Sequence, residues 1–315
     1  MGRREAAAGR HAVSGPREDN ESRNALDAAL QRLGQAICDP GARAELDIAD
    51  LRDFATECVV ALPVGGEGSR LRAVTDALGI QKNAILLPNG ESLIERTIRM
   101  YRDEGFREFV ALVFHGKQSI VDVLQDGSRL GVRVRYSEDP GMPIGRGGAI
   151  QHALAGGVIP RDKSLIVHNP DDVIARYAGS FPRDIVAAHL DGRRRGTVAT
   201  AVMVAGARMP YTGMRLNDGI VEEVSAYPFV PIPAHIGVTL FAPEVFALFD
   251  ELFDLTRRTD FEGVLFPRLA REGKLYSAII PTESWFQVND PKSLHALIDV
   301  VREETDAVAP IVANA

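Results

Sequence analysis

The residues best suited to chemistry sit where an apolar run ends. In Leu62-Pro-Val64-Gly65-Gly66-Glu67-Gly68-Ser69-Arg70-Leu71, glycines remove side chains where the backbone must turn sharply. Amide N–H groups can then approach an anionic ligand such as a phosphate. An ordinary strand-to-helix turn would use the same glycines. The loop fits neither the Walker A pattern, because no Lys-Ser/Thr follows the last glycine, nor G-x-G-x-x-G. Further on, Asp171-Asp172 closes a second apolar segment, Ser164 to His168. Open α/β sheets place ligands at such strand ends, and hard carboxylate oxygens there suit Mg²⁺, although paired acidic residues also serve as plain polar caps.

Together with the residues as far as Lys82, the glycine loop resembles the pyrophosphorylase signature of sugar-1-phosphate nucleotidyltransferases, roughly L-x-A-G-G-x-G-T-R-L, a spacer and P-K. Gly65, Gly66, Gly68, Ser69, Arg70 and Leu71 take the corresponding places, and Lys82 that of the lysine. Pro143-Ile-Gly145-Arg146-Gly147-Gly148-Ala149 is similar to that family's P-L-G-T-A-G-A loop, and His168-Asn-Pro-Asp171-Asp172 to its strand-end metal motif. Trp285-Phe-Gln287-Val-Asn289-Asp290 resembles its W-x-D-x-G. These partial matches occur in the family's order over about Cys58 to Leu297.

The resemblance implies a Rossmann-like α/β fold with a mostly parallel, mixed sheet, helices on both faces and a smaller antiparallel sugar-binding portion. It implies transfer of a nucleoside monophosphate from a nucleoside triphosphate to a sugar 1-phosphate or a cyclitol phosphate, releasing pyrophosphate. Arg70 would hold the leaving phosphates through its planar fork and Lys82 would act as a point charge near the α-phosphate. Asp171 completes the catalytic set. Val64, Gly65, Gly66, Gly68, Ser69, Gly145, Gly147 and Asp172 would contact the nucleotide, with the glycines of the second loop letting a planar base lie against the backbone. Gly213, Tyr227, His235 and Gly237 would line the acceptor site. Asp171, Gln287 and Asn289 would hold Mg²⁺, and oxygen ligands accept Mn²⁺ as well.

Several positions depart from the family's pattern. Gln81 replaces the proline before the lysine, a change of little expected consequence. Gln287 replaces the second metal-binding aspartate, and an amide coordinates Mg²⁺ more weakly than a carboxylate. Ala226-Tyr227-Pro228 stands in place of Glu-Lys-Pro. Arg146 replaces a small threonine, where it could narrow the base pocket, reach a phosphate or point to solvent. Two alternatives therefore stay open: a non-catalytic paralogue that binds nucleotide or sugar phosphate, and a glycosyltransferase using Asp171-Asp172 as part of a D-x-D site.

Hydrophobic spacing gives the elements that must position these residues. Leu26, Ala29, Leu30, Leu33 and Ile37 fall at helical intervals, and a second short helix is expected over 42–54. Glu57 to Val64 reads as a strand buried on both faces. Helix and strand segments then alternate, the mark of a parallel sheet covered by helices, and shorter strand-rich pieces come after Val204. The expected organisation is a tail over 1–22, a helical extension over 23–56, a transferase domain over 57–305 and a tail over 306–315.

At 315 residues and 45% hydrophobic composition the chain can bury a large core, which excludes intrinsic disorder. A net charge of −7 gives no general attraction to nucleic acid or anionic lipid, and Arg193-Arg194-Arg195 reads as a solvated loop. Two cysteines exclude a disulfide scaffold and fit a reducing cytoplasm. No apolar run reaches membrane-spanning length and no secretory signal is evident. The expected partners are small substrates, with no nucleic acid and no membrane; the helical extension could pack on the core or on a second copy of the chain.

Overall fold

The computed structural model describes residues 18–39 and 46–312. The expected tail over 1–22 lies outside the described residues as far as residue 17, and a helix already runs from Glu18. The chain divides into two compact units, Met1–Asp39 with Ala205–Pro233, and Pro40–Val204 with Ala234–Ala315.

In chain order, helices α1 (Glu18–Ile37) and α2 (Ile48–Thr56) precede strand β1 (Cys58–Pro63). Next come α3 (Arg72–Leu78), α4 (Leu93–Asp103), β2 (Glu108–Val113), α5 (Lys117–Leu124), β3 (Arg133–Glu138) and α6 (Gly145–Ala155). They are followed by β4 (Ser164–His168), β5 (Asp172–Ile174), α7 (Phe181–Arg194) and β6 (Ala199–Val204). Strands β7 (Ala207–Arg208), β8 (Thr212–Asn217), β9 (Ile220–Ala226) and β10 (Phe229–Val230) belong with α1 to the smaller unit. Strand β11 (Ala234–Phe241), α8 (Phe246–Leu252), α9 (Phe261–Arg271), β12 (Leu275–Ile280), β13 (Trp285–Gln287) and α10 (Pro291–Val312) complete the larger one. Helix α10 thus continues into the segment expected to be a tail, and residues 313–315 lie outside the described residues.

The larger unit is built on a seven-stranded sheet of order β12-β6-β11-β4-β1-β2-β3. Every neighbouring pair is parallel except the two made by β11. The continuous apolar run of β1 has a direct cause in this position. Cys58, Val60 and Leu62 pack with Leu51 of α2, Ile94 and Tyr101 of α4 and Ile185 of α7. Val59 and Ala61 face the other way, onto Ile150 of α6, Phe249 of α8 and Leu265 of α9. Both faces of a central parallel strand are covered, so neither can be polar. Each fully buried Val or Leu there contributes about 1.5–3 kcal/mol.

A third apolar cluster joins Leu71, Leu87, Leu93 and Val173 to Val288, Leu294 and Leu297, bracing the end of the glycine loop against β5 and α10. Helix α4 starts from a reciprocal cap in which the Glu95 N–H donates to Ser92 Oγ (3.3 Å) and the Ser92 N–H donates to Glu95 Oε2 (2.8 Å). The run Arg193–Arg195 is the end of α7 rather than a loop: Arg193 donates to the Thr197 carbonyl and pairs with Glu244, and Arg195 pairs with Asp191.

In the smaller unit, β8 and β9 form the expected antiparallel portion, with α1 against β9. The Leu26 N–H donates to Glu223 Oε2 at 3.2 Å. Among the described residues no helix is long and apolar enough to cross a membrane.

Candidate active site

The strand end of β1 is tied to its neighbour: the Val64 N–H donates to the Leu112 carbonyl (2.8 Å) and the His115 N–H to the Gly65 carbonyl (3.2 Å). The N–H groups of Gly65, Gly66, Glu67 and Gly68 donate to no described residue. A short 3₁₀ turn, Ser69–Leu71, begins from Gly68 in the left-handed region (φ +61°). Consecutive unpaired amides at a turn form a concavity suited to anions. They border a cavity of about 510 Å³ lined by this loop, Arg70, Lys82, Asp171 and Asn289, together with Gly145, Arg146, Arg258 and Asp260.

The charges in the cavity are of two kinds. Lys82 Nζ and the Asp171 carboxylate form an ion pair whose side chains are each 15% exposed, so each neutralises the other inside the protein. Arg70 is exposed at the cavity and makes no ion pair with any described residue. It is a cation ready for an incoming anion.

Asp171 and Asp172 part company. The Asp171 carbonyl accepts from the Val288 N–H (2.8 Å), which joins the turn after β4 to the segment carrying Asn289. Asp172 turns inward, 4% exposed, and accepts from Trp285 Nε1 (3.0 Å) and Asn169 Nδ2 (3.1 Å). Burial, with the Asp171 charge next to it, pushes its carboxyl up to about 7. His168 supports the same turn from below, with Nε2 3.0 Å from the Asp172 carbonyl and Nδ1 2.9 Å from the Tyr101 hydroxyl. A carbonyl can only accept, so Nε2 carries the proton and Nδ1 accepts from Tyr101. Burial lowers the His168 pKa to about 4, keeping the ring neutral.

The second glycine loop is built differently. The N–H groups of Gly147 and Gly148 donate to the Thr259 carbonyl (3.0 and 3.3 Å), and the Arg146 N–H donates to Asp260 Oδ1 (2.8 Å). The start of α6 is therefore capped by residues just ahead of α9. A Cβ on Gly145 would lie 2.6 Å from the Thr259 oxygen, and one on Gly147 would lie 2.0 Å from the Phe253 ring. These glycines admit the protein's own chain, and of the two only Gly145 lines the cavity. Arg146 is pinned over the Phe261 ring (5.7 Å) between Asp260 (3.4 Å) and Glu262 (2.9 Å), rather than pointing to solvent.

The profile of the Nucleotidyl transferase family matches residues 61–304. The chain belongs to this family. It is 24% identical over 232 residues to mannose-1-phosphate guanyltransferase beta-A of Xenopus laevis, covering 73% of this chain and 60% of that one. It is 24% identical over 237 residues to the UTP--glucose-1-phosphate uridylyltransferase of Synechocystis, covering 71% and 58%. The chain thus spans about three fifths of the length of these relatives. A crystal structure from Bacillus anthracis, named for glucose-1-phosphate thymidylyltransferase, superimposes with a TM-score of 0.60 at 16% identity, over 78% of this chain and 95% of that one.

Of the residues expected in the site, Gly65, Gly66, Gly68, Ser69, Arg70, Lys82, Gly145, Asp171 and Asn289 line one cavity. Val64, Gly147, Asp172, Gln287, His235 and Gly237 do not. Val64 is buried in the core, and Gln287 is exposed and sits opposite Asp172 in the β13–β5 ladder. The His235 Nε2 lies 3.0 Å from both the Val238 carbonyl and Thr239 Oγ1, and burial lowers its pKa to about 4. Gly237 (φ +73°) makes room for Asp172, because a Cβ there would fall 2.2 Å from Oδ2. Gly213 and Tyr227 belong to the smaller unit, where Gly213 packs against Pro228 and Tyr227 is exposed.

Sequence reasoning passed over Glu67, Asn83, His115, Asp139, Arg258 and Asp260, all of which line the cavity. Asn83 is 1% exposed and its side-chain oxygen has no hydrogen-bond partner among the described residues. The asparagine directly after Lys82 was the available signal, and its burial was not visible in the sequence. For a divalent ion the donor set is sparse. Asp171 and Asn289 are the oxygen donors among the expected ligands that reach the cavity, and among the described residues no three His, Cys, Asp or Glu side chains group together. That set fits Mg²⁺, which takes one or two carboxylates and completes its shell with water and substrate phosphates, better than an ion needing an all-protein cage.

Proposed function

We propose that this family member transfers a nucleoside monophosphate from a nucleoside triphosphate to a sugar 1-phosphate or a cyclitol phosphate. The observation that carries the reading is the row of unpaired amides at Gly65–Gly68 beside a free Arg70 and the Lys82–Asp171 pair, in one cavity. In the reaction an acceptor phosphate oxygen attacks the α-phosphorus. The bond from that phosphorus to the bridging oxygen breaks, and pyrophosphate leaves with the electron pair.

The protein's task is to bring two polyanions together and neutralise them. The loop amides and Arg70 hold the departing phosphates. Lys82 would exchange Asp171 for the α-phosphate, and the freed Asp171 carboxylate, with Asn289, would hold the metal. Mg²⁺ supplies charge neutralisation on the phosphates when bound, and Mn²⁺ offers the same chemistry to oxygen donors. The relatives named for guanylyl and uridylyl transfer support the reaction class. The inward turn of Asp172 speaks against a D-x-D glycosyltransferase site, since only Asp171 faces the cavity.

The test is pyrophosphate release by wild type and Asp171→Ala, with ATP, GTP, CTP, UTP and dTTP against pooled sugar and cyclitol phosphates, with Mg²⁺ and with chelator. Release in one triphosphate lane, lost in the variant and with chelator, is the expected result. A second reading, a non-catalytic nucleotide-binding paralogue, is favoured by the placement of Gln287 outside the cavity. Nucleotide binding with no release in any lane would establish it instead.

A further inference from the structure

We propose that Gln81 is the positioning residue of the glycine loop, holding its peptide planes so that their amides face a polyphosphate. Its side chain is buried, and its Nε2 donates to the carbonyls of Val64 (3.0 Å) and Gly66 (3.4 Å). Its Oε1 accepts from the Asn83 N–H (2.5 Å), and its own N–H donates to Ser119 Oγ (2.9 Å). One amide side chain thus joins the loop to the segment that carries Lys82.

In a trans peptide the N–H points opposite to the C=O of the same unit. Drawing the Val64 and Gly66 carbonyls onto Gln81 turns the N–H groups of Gly65 and Glu67 away from it. Those two N–H groups are among the ones that donate to no described residue. Without the strut, the Gly66–Glu67 peptide plane is free to rotate, because Gly66 meets no atom within 4 Å of where a Cβ would stand, whereas Gly65 is closed in by Phe114 at 3.2 Å. The backbone at Gln81 (φ −74°, ψ 145°) is what a proline would adopt, and the signature this loop resembles has proline there. A proline ring carries no donor, so this chain replaces ring rigidity with hydrogen bonds.

The nature of the ligand rests on the nucleotidyl-transfer reading, and the strut itself does not. Inorganic pyrophosphate with Mg²⁺ is titrated calorimetrically into the full wild-type chain and into Gln81→Met, which keeps the length and loses the donors. The expected result is about tenfold weaker binding, the weight of roughly one net hydrogen bond, in a variant that stays folded at a somewhat lower Tm. With turnover, KM for the triphosphate rises by a similar factor while kcat at saturation stays within about threefold, because the loss is in ground-state positioning.

If Gln81→Met does not fold, Gln81→Asn keeps a neutral amide that is one methylene too short to reach both carbonyls, and a weakening in the same direction is expected. Equal pyrophosphate affinity in a folded variant overturns the proposal, as does a wild type that binds no pyrophosphate. A wild type that binds pyrophosphate but releases none from any triphosphate removes the transfer reading and leaves the strut standing.

Discussion

The loops at Gly65–Gly68 and Gly145–Gly148 are both glycine-rich, both come after strands of one sheet, and use glycine for opposite ends. In the first, backbone donors are unpaired and Gly66 faces open space. In the second, the N–H groups of Arg146, Gly147 and Gly148 are taken by Thr259 and Asp260, and the missing side chains are filled by the chain itself. Glycine content alone therefore does not distinguish a loop that waits for a ligand from one that is closed by packing. The hydrogen-bond accounting does.

Substitutions in the two loops should separate them. The largest effect is expected at the open loop's cavity, where Asp171→Ala should lower pyrophosphate release about 10³-fold with little change in Tm. A matching collapse of Tm would make the residue structural. Gly147→Ala should act through stability, costing about 3 kcal/mol by overpacking against Phe253; a thermal unfolding curve like that of wild type would refute the packing assignment.

Gly66→Ala is the counterpart. It should leave stability within about 0.5 kcal/mol while raising the triphosphate KM, so the two alanine substitutions differ in which observable moves. Asp260→Ala should cost about 1 kcal/mol, by removing the acceptor for the Arg146 N–H, as read by denaturant titration.

The smallest effect at neutral pH belongs to His189, away from both loops, whose ring lies 3.0 Å from Thr200 Oγ1. Burial, helped by the Arg193 charge, lowers its pKa from 6.5 to about 4. Between those values the unfolded chain binds the extra proton and the folded chain does not. The stability contribution is therefore present above pH 6.5 and lost as pH falls towards 4. Gln in place of His189 should flatten the stability–pH curve in that window, and parallel curves would contradict it.

Much of the scaffold was legible because its signals are local. The run Glu57 to Val64 reads as a doubly buried strand and forms one over Cys58–Pro63, and Lys117–Leu124 and Ser164–His168 carry their own periodicity. The open loop, Arg70, Lys82 and Asp171 stood out through the resemblance of their types and order to the family's motifs, and they line one cavity. Gln81 was read as inconsequential, and Asp172 as a nucleotide contact, because nothing nearby in the chain shows that their partners are Val64 and Gly66, or Trp285 and Asn169.

The order of the amino acids was thus enough to set the alternating α/β framework and the strand ends at which charged and glycine residues emerge, since apolar spacing dictates which segments can be covered on both faces. Which of two adjacent aspartates faces the cavity, and which glycine loop stays open, was settled only on folding. Those outcomes depend on donors and acceptors supplied from distant segments, Thr259 to Gly147 and Trp285 to Asp172, and hydrogen-bond satisfaction is a property of the folded neighbourhood rather than of the local chain.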